Sequence, residues 1–152
     1  MFTLYTDGGC HGNPGPGGWA FVLEYDGHRI ERNGAEYETT NNRMELKAVI
    51  AGLSYVNEIG TSPVGSMAER GSVTVYTDSQ YVKNGMTSWI HTWLRNGWRT
   101  SARKPVKNRD LWMTLHDLTE QLDVHWEWLR GHAGHDGNER CDTLVQQAIQ
   151  SL

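Results

Sequence analysis

Four short apolar runs and one more polar segment, bounded by glycine and polar residues, predict five β-strands along the chain. The first run ends at Thr6 before a glycine-rich stretch, and the turn pair Asp26-Gly27 joins the second to the third. The predicted strands are Phe2–Thr6, Trp19–Tyr25, His28–Glu36, Ser72–Thr77 and Val124–Leu129.

Apolar residues at helical spacing predict helices after the third, fourth and fifth of these strands. The first helix starts near Asn41-Asn42 and carries its apolar stripe at Leu46, Val49, Ile50, Leu53 and Val56. The others run from Ser79 to about Asn96 with an interruption at Gly85, across Leu111–Leu122, and across Glu139–Ser151.

Two segments lack any period and are predicted to be loops. Residues 57–71 carry Gly, Ser and Pro, which indicates a mobile surface loop, and Arg99–Asn108 is a basic loop. Three strands followed by alternating helices and strands predict an α/β fold with a mixed sheet. At 152 residues, the chain is expected to form one domain, 1–152.

Four acidic residues occupy positions typical of a divalent-metal site. Asp7 and Asp78 each follow a predicted strand, whereas Glu45 and Asp142 lie in the first turns of predicted helices. Sites on α/β sheets gather beyond the carboxyl ends of strands, so these acids are expected to meet. Magnesium prefers oxygen ligands, and two such ions roughly 4 Å apart support phosphoryl transfer.

Each acid also has an ordinary structural explanation. Asp7-Gly8 is a common turn pair, Asn42-x-x-Glu45 matches a capping box, and Asp78-Ser79 matches a helix N-cap. Asp142 would favour the dipole of its helix. Four such coincidences at these positions favour the metal site.

Further candidates lie near the last strand and helix. His132 belongs to a loop of small residues ten positions before Asp142, where an imidazole suits proton transfer. A lone histidine is more often structural, so both interpretations stay open. Trp126 and Trp128 alternate with Glu127 along the last strand and are predicted to belong to the core.

The charge of the chain is unevenly distributed. Its formal net charge is −4, yet the segment 83–109 contains seven basic residues and no acid. Trp89, Trp93 and Trp98 are interleaved with these cations, a pattern that suits sugar-phosphate backbones. A solvated helix face anchored to the core by tryptophans explains the pattern equally well.

The remaining features narrow the class of protein. No basic-then-apolar leader and no membrane-length run occurs, so no membrane association is expected. Cys10 and Cys141 do not form a disulfide framework, and free thiols in a reducing cytoplasm are expected. We expect a cytoplasmic monomer.

The chain resembles type 1 ribonuclease H, the bacterial form with a basic protrusion, from end to end. The resemblance rests on several strings: Thr6-Asp-Gly-Gly-Cys10, Gly12-Asn-Pro-Gly-Pro-Gly-Gly18, Thr39-Thr-Asn-Asn-Arg-Met-Glu-Leu46, Thr77-Asp-Ser-Gln-Tyr-Val82, Trp89-Ile-His91, Lys104-Pro-Val-Lys-Asn108, Asp110-Leu-Trp112, Gly131-His-Ala-Gly-His135 and Asn138-Glu-Arg-Cys-Asp142.

The resemblance implies a five-stranded mixed sheet flanked by helices on both faces, and endonucleolytic cutting of the RNA strand in RNA–DNA hybrids. It implies two Mg²⁺ ions, with Mn²⁺ as a substitute, held by Asp7, Glu45, Asp78 and Asp142. Asp7 would bridge the ions, and His132 would assist proton movement or product release. The products would carry 5′-phosphate and 3′-hydroxyl ends.

Hybrid contacts are implied in two regions. The wide minor groove, where 2′-hydroxyls distinguish RNA from DNA, would meet Asn13, Asn41, Asn42 and Gln80, with backbone near Cys10. Thr40 would belong to the pocket that grips a DNA-strand phosphate. The basic protrusion, residues 83–109, would contribute Trp89, Trp93, Arg95, Trp98, Arg99 and Lys104. Recognition would depend on shape and sugar rather than on base sequence.

Some positions depart from the family pattern. Glu38 and Thr92 stand where relatives often have Arg and Asn for gripping a DNA-strand phosphate, and Leu94 and Asn96 replace basic residues. Weaker hybrid affinity and a gentler salt dependence are therefore expected. A DNA-cutting nuclease of the same fold, a non-cutting hybrid-binding module and a purely structural domain are the alternatives.

Overall fold

The computed structural model describes residues 1–60, 72–130 and 135–152. Five strands form one sheet in the order β3-β2-β1-β4-β5. The first three pair antiparallel, whereas β4 pairs parallel with both β1 and β5, so the predicted mixed sheet is confirmed. The strands are β1 Phe2–Cys10, β2 Gly15–Tyr25, β3 His28–Thr39, β4 Ser72–Thr77 and β5 Asp123–Trp128.

The helices follow the predicted order. They are α1 Asn41–Gly60, α2 Gln80–Asn84, α3 Ile90–Arg95, α4 Arg109–Gln121 and α5 Asp136–Gln150. The loop predicted for residues 57–71 is wrong over 57–60, because α1 continues to Gly60 with Ile59 packed against the core. Residues 61–71 of that predicted loop lie outside the described residues.

The predicted interruption at Gly85 is a π-helical turn, Gly85–Trp89, between α2 and α3. A Cβ atom on Gly85 would lie 2.0 Å from the ring of Trp112, which is fully buried. Close packing of α4 against this turn therefore requires glycine.

The prediction that β1 ends at Thr6 is wrong, because the strand continues through Asp7 to Cys10. The glycine-rich stretch that follows is largely paired strand, with Gly8 opposite Trp19 and Gly9 opposite Gly18. The apolar pattern does not reveal this pairing, since glycine has no side chain to contribute to an alternation.

Helices cover both faces of the sheet, as predicted. On one face, α1 and α4 bury the main core, whose members include Leu4, Leu23, Leu53, Val75 and Trp112. On the other face, α5 packs Cys141, Leu144, Val145 and Ile149 against Ala20 and Val22 of β2. Trp126 and Trp128 are partly buried against the main core and stack at 5.0 Å, while Glu127 between them is exposed.

No helix within the described ranges is long and apolar enough to cross a membrane. Cys10 and Cys141 are both free thiols, as predicted, and Cys141 is buried.

Candidate active site

Asp7 and Asp78 reach the same edge of the sheet by parallel strand pairing. The β1–β4 ladder ends with Tyr5 opposite Tyr76, and each aspartate follows two residues later on its own chain segment. Asp7 lies in the part of β1 that pairs with β2 beyond the end of the β1–β4 ladder. Asp78 lies between β4 and α2. The predicted meeting of the two acids is thus a consequence of register.

Glu45 approaches Asp7 because a glycine lies beneath the first turns of α1. A Cβ atom on Gly8 would stand 2.3 Å from the carbonyl carbon of Met44 and 2.5 Å from the amide nitrogen of Glu45. Glycine therefore lets the backbone of α1 contact β1 directly. This contact brings the Glu45 side chain close to Asp7.

The capping-box interpretation of Asn42-x-x-Glu45 is wrong, whereas the N-cap predicted at Asp78-Ser79 is confirmed at Ser79. The hydroxyl of Thr40 accepts a hydrogen bond from the Arg43 amide at 3.3 Å, so Thr40 caps α1. Ser79, rather than Asp78, caps α2 by accepting from the Val82 amide at 3.1 Å. The Ser79 hydroxyl also donates to Glu45 Oε2 at 2.5 Å, a contact that the sequence did not reveal.

Asp142 comes from the opposite face of the sheet, in the second turn of α5. The neighbouring Cys141 thiol donates to the backbone oxygen of Tyr5 at 3.3 Å, which ties this turn to β1. The prediction placed Asp142 in the first turns of its helix, and the earlier start at Asp136 moves it one turn further along.

The raised pKa of Asp7 indicates that the other three acids are close enough to repel its negative charge. Burial raises the pKa of Asp7 to about 8, and the negative charges of Asp78, Asp142 and Glu45 add to the effect against a hydrogen bond from the Gly8 amide. Burial also raises the pKa of Glu45, with a smaller contribution from Asp78, while the bond from Ser79 opposes it.

This donor set fits a hard divalent cation by its chemistry. Carboxylate oxygens are the preferred ligands of such ions, and a cation would relieve the mutual repulsion centred on Asp7. Among the described residues, no three His, Cys, Asp or Glu side chains already surround one point at ligation distance. Glu45 Oε2 accepts the hydrogen bond from the Ser79 hydroxyl, and this bond fixes the orientation of its carboxylate.

His132 lies outside the described residues, within 131–134, so its predicted role is not tested. The described chain resumes at His135, whose ring lies 6.0 Å from that of Tyr76 on β4.

Four of the five predicted minor-groove positions, together with Thr40 of the predicted phosphate pocket, lie around the β3–α1 junction. The Cys10 thiol donates to Thr39 O at 3.3 Å, and Asn13 Oδ1 accepts from the Asn41 amide at 3.2 Å. Thr40 and Asn42 follow directly along the chain, at the start of α1. Gln80, the fifth minor-groove position, is exposed beside Ser79, and the Ser79–Glu45 bond brings it to the same region.

The basic segment 83–109 is an ordered lobe. An Arg99–Pro105 bridge closes its loop, the Trp98 carbonyl accepts from the Val106 amide at 3.1 Å, and Trp93 and Trp98 pack against the main core. Trp89 keeps 38% of its surface exposed, and the predicted contacts Arg95, Arg99 and Lys104 are exposed too. Tryptophans that pack inward and cations that point outward agree both with a surface that binds a sugar-phosphate backbone and with a solvated face anchored to the core.

Glu38 and Thr92, the two departures at the predicted phosphate pocket, are both exposed. Leu94 is also exposed, with 45% of its surface accessible.

The fold and the acid cluster together define an α/β protein of the nuclease type, with its site at the edge where β1 and β4 stop pairing. The family model for RNase H matches residues 1–150. The chain is 51% identical over 149 residues to a ribonuclease H from Hydrogenovibrio crunogenus, covering 98% of this chain and 95% of that protein.

A ribonuclease H from Neisseria meningitidis is 54% identical over 144 residues, covering 95% of this chain and 92% of that protein. The crystal structure of LC9-RNase H1, a type 1 RNase H with the type 2 active-site motif, superposes with a TM-score of 0.78 at 35% identity. That match covers 99% of this chain and 72% of the other. The chain belongs to the ribonuclease H family, whose members are hydrolases that degrade RNA in RNA–DNA hybrids and generally depend on divalent metal ions.

Proposed function

We propose that this chain is an endonuclease that hydrolyses the RNA strand of RNA–DNA hybrids without base-sequence preference, leaving 5′-phosphate and 3′-hydroxyl ends. The observation that carries the proposal is the meeting of four carboxylates from β1, the β4–α2 junction, α1 and α5, whose mutual repulsion adds to burial in raising the pKa of Asp7. Family membership supports the substrate class.

Asp7, Glu45, Asp78 and Asp142 would hold two divalent ions, Mg²⁺ with Mn²⁺ as a substitute. Bound ions of this kind activate water and neutralise charge on the attacking and leaving oxygens. Asp7 is the central ligand in this proposal, since the other three acids all act on its pKa. Ser79 orients Glu45 through the hydrogen bond from its hydroxyl.

The substrate would be held at two places. Asn13, Asn41, Asn42 and Gln80, with backbone near Cys10, supply amide and backbone groups suited to the 2′-hydroxyls of a wide minor groove. Thr40 would contribute to the pocket for a DNA-strand phosphate. The exposed cations and Trp89 of the basic segment suit the sugar-phosphate backbone further along the hybrid. His132 would move a proton or assist product release.

We place the enzyme in the cytoplasm as a monomer, with its two free thiols in support of a reducing compartment. Sedimentation of the purified chain at several concentrations tests the monomer, and a mass that rises with concentration would contradict it.

Cleavage of an end-labelled RNA–DNA hybrid with Mg²⁺ tests the function, with EDTA and Asp7→Asn as controls. Internal cuts in the RNA strand alone, lost in both controls, are expected. Parallel reactions contain duplex DNA and double-stranded RNA of the same sequence. Equal cutting of duplex DNA would make the chain a DNA nuclease, and tight binding without any cut would make it a binding module.

A further inference from the structure

Arg43 lies on α1 between the candidate hybrid contact Asn42 and the candidate metal ligand Glu45. Its guanidinium grips Asp110 of α4 with two bonds, Nη1 to Oδ1 at 3.2 Å and Nη2 to Oδ2 at 3.0 Å. Nη1 also donates to Asn108 Oδ1 at 3.2 Å. The planar fork of arginine suits three such bonds, whereas lysine offers only a point charge.

The contact continues from Asn108 to α2. Asn108 precedes α4 with a left-handed backbone (φ 60°), and its Nδ2 donates to the Tyr81 hydroxyl at 3.1 Å. The buried Trp112 donates to the same hydroxyl from Nε1 at 3.0 Å. The ring of Tyr81 packs against Trp112 and against the exposed Trp89.

These contacts lead from α1 through α4 and α2 back to α1. Tyr81 lies two residues after Ser79, and the Ser79 hydroxyl returns to α1 through Glu45 at 2.5 Å. Arg43, Tyr81, Asn108, Asp110 and Trp112 form what we call the Arg43 network.

The Arg43 network lies between the two regions that would hold the hybrid. On one side are Asn42, which precedes Arg43, and Gln80, which precedes Tyr81. On the other side is the basic loop, whose last residue is Asn108 and whose buried Val106 accepts a bond from the Arg109 amide. None of the five network members was a candidate for function on sequence grounds.

We propose that the Arg43 network is a positioning device that fixes the distance between the minor-groove contacts at α1 and α2 and the basic segment. Its members act on the hybrid through Asn42, Gln80 and the basic loop, without serving as metal ligands. The proposal rests on the proposed function, since it concerns how the same site holds its substrate.

The test uses isosteric variants of the full-length protein. Asp110→Asn keeps the shape of the side chain but removes the charge that pairs with Arg43. Arg43→Lys keeps the positive charge but removes the two-pronged guanidinium contact. Tyr81→Phe removes only the hydroxyl that accepts from Asn108 and Trp112. Glu31→Gln is the matched control: Glu31 accepts an equivalent fork from Arg140, at 2.8 and 3.1 Å, between β3 and α5.

Electrostatics alone makes the opposite prediction for Asp110→Asn. Asp110→Asn and Glu31→Gln each remove one negative charge, so long-range attraction to the polyanionic hybrid would leave KM equal or lower. The positioning role instead raises KM in Asp110→Asn, Arg43→Lys and Tyr81→Phe by about 3- to 20-fold, the range for residues that act through a network. Glu31→Gln leaves KM unchanged.

Steady-state cleavage of a hybrid long enough to reach the basic segment, at a temperature where every variant is folded, gives KM and kcat separately. We expect kcat to stay within about 2-fold, because the carboxylates are retained. The double variant Asp110→Asn/Tyr81→Phe should raise KM by less than the product of the single effects, because both changes open one network.

Unaltered KM in all three network variants, with losses of stability like that of Glu31→Gln, would overturn the positioning role. The unaltered protein is assayed alongside them. If it fails to cut any hybrid, the proposed function falls; if it cuts and the variants match it, only the positioning role falls.

Discussion

At the scale of single residues, the ionised form of the buried Asp7 carboxylate is unfavourable. Its pKa of about 8 lies well above the ordinary value of about 3.9, because the carboxylate is buried among three other acids. A metal-free fold binds this proton more tightly than the unfolded chain does. Its stability is therefore expected to fall as pH rises from about 4 to about 8.

Asp7→Asn should remove this penalty while abolishing cleavage. In EDTA at neutral pH, we expect the free energy of unfolding to rise by about 1–4 kcal/mol, with a weaker dependence on pH between about 4 and 8. Urea unfolding of both proteins at several pH values measures this. A variant as active as the parent would refute the metal site, and a variant with the parent's pH dependence would refute the charge argument.

His132→Ala tests the proposed proton transfer. We expect kcat to fall by about 10- to 1000-fold, the usual scale for general acid–base catalysis, with the fold retained. His125→Ala is a control, since His125 is exposed on β5 and contacts Asp123 at 3.2 Å. If His132→Ala has the parent's rate, the histidine has a structural role.

Reasoning from residues found the acids but not their partners. Asp7 and Asp78 stand out because a charged residue directly follows each apolar run, and sheet topology then predicts that they meet. The Ser79–Glu45 bond and the Arg43 fork join residues 34 and 67 positions apart. Nothing in a single sequence marks which serine or arginine will meet which acid at such separations.

At the scale of elements, the contact between β1 and α1 depends on Gly8. Gly8→Ala would place a methyl group 2.3 Å from the Met44 backbone, so α1 must move away from β1. We expect a loss of stability of about 1–3 kcal/mol, typical of overpacking, and a fall in kcat because Glu45 moves with the helix. Urea unfolding and hybrid cleavage measure the two effects.

Gly9→Ala is the matched control one residue further along β1. Its Cβ would meet only a Val145 methyl at 4.0 Å, an ordinary contact. It should therefore leave stability and cleavage nearly unchanged. Equal losses in the two variants would mean that strand propensity, rather than the approach of α1, explains the glycine at position 8.

The boundaries of elements were harder to predict than their order. Glycine contributes nothing to an apolar alternation, so β1 was predicted to end at Thr6, before the paired stretch from Gly8 to Cys10. Helix α1 continues past the apparent end of its stripe because Ile59 reaches the core one turn after Val56. Tertiary contacts decided both boundaries.

At the scale of the whole molecule, the charge is separated into an acidic site and a basic lobe. The net charge of −4 would repel a polyanion, whereas half of the chain's Lys and Arg lie within residues 83–109. A lobe that contacts phosphates releases counterions, and this makes binding depend on salt. If the lobe is only a solvated surface, removing its cations would leave the salt dependence of hybrid binding unchanged.

Replacing Arg95, Arg99, Arg103 and Lys104 with Ala should raise KM and lower the slope of log KM against log salt by about 1–3, since each phosphate contact contributes about 0.7–0.9 to the slope. The four side chains are exposed, so the fold should be retained. A matched pair separates position from total charge: Arg95→Ala/Arg99→Ala should flatten the slope, whereas Arg29→Ala/Arg32→Ala on β3 should not. If both double variants flatten it equally, the hybrid responds to net charge alone, and the interleaved tryptophans serve only to anchor the lobe to the core.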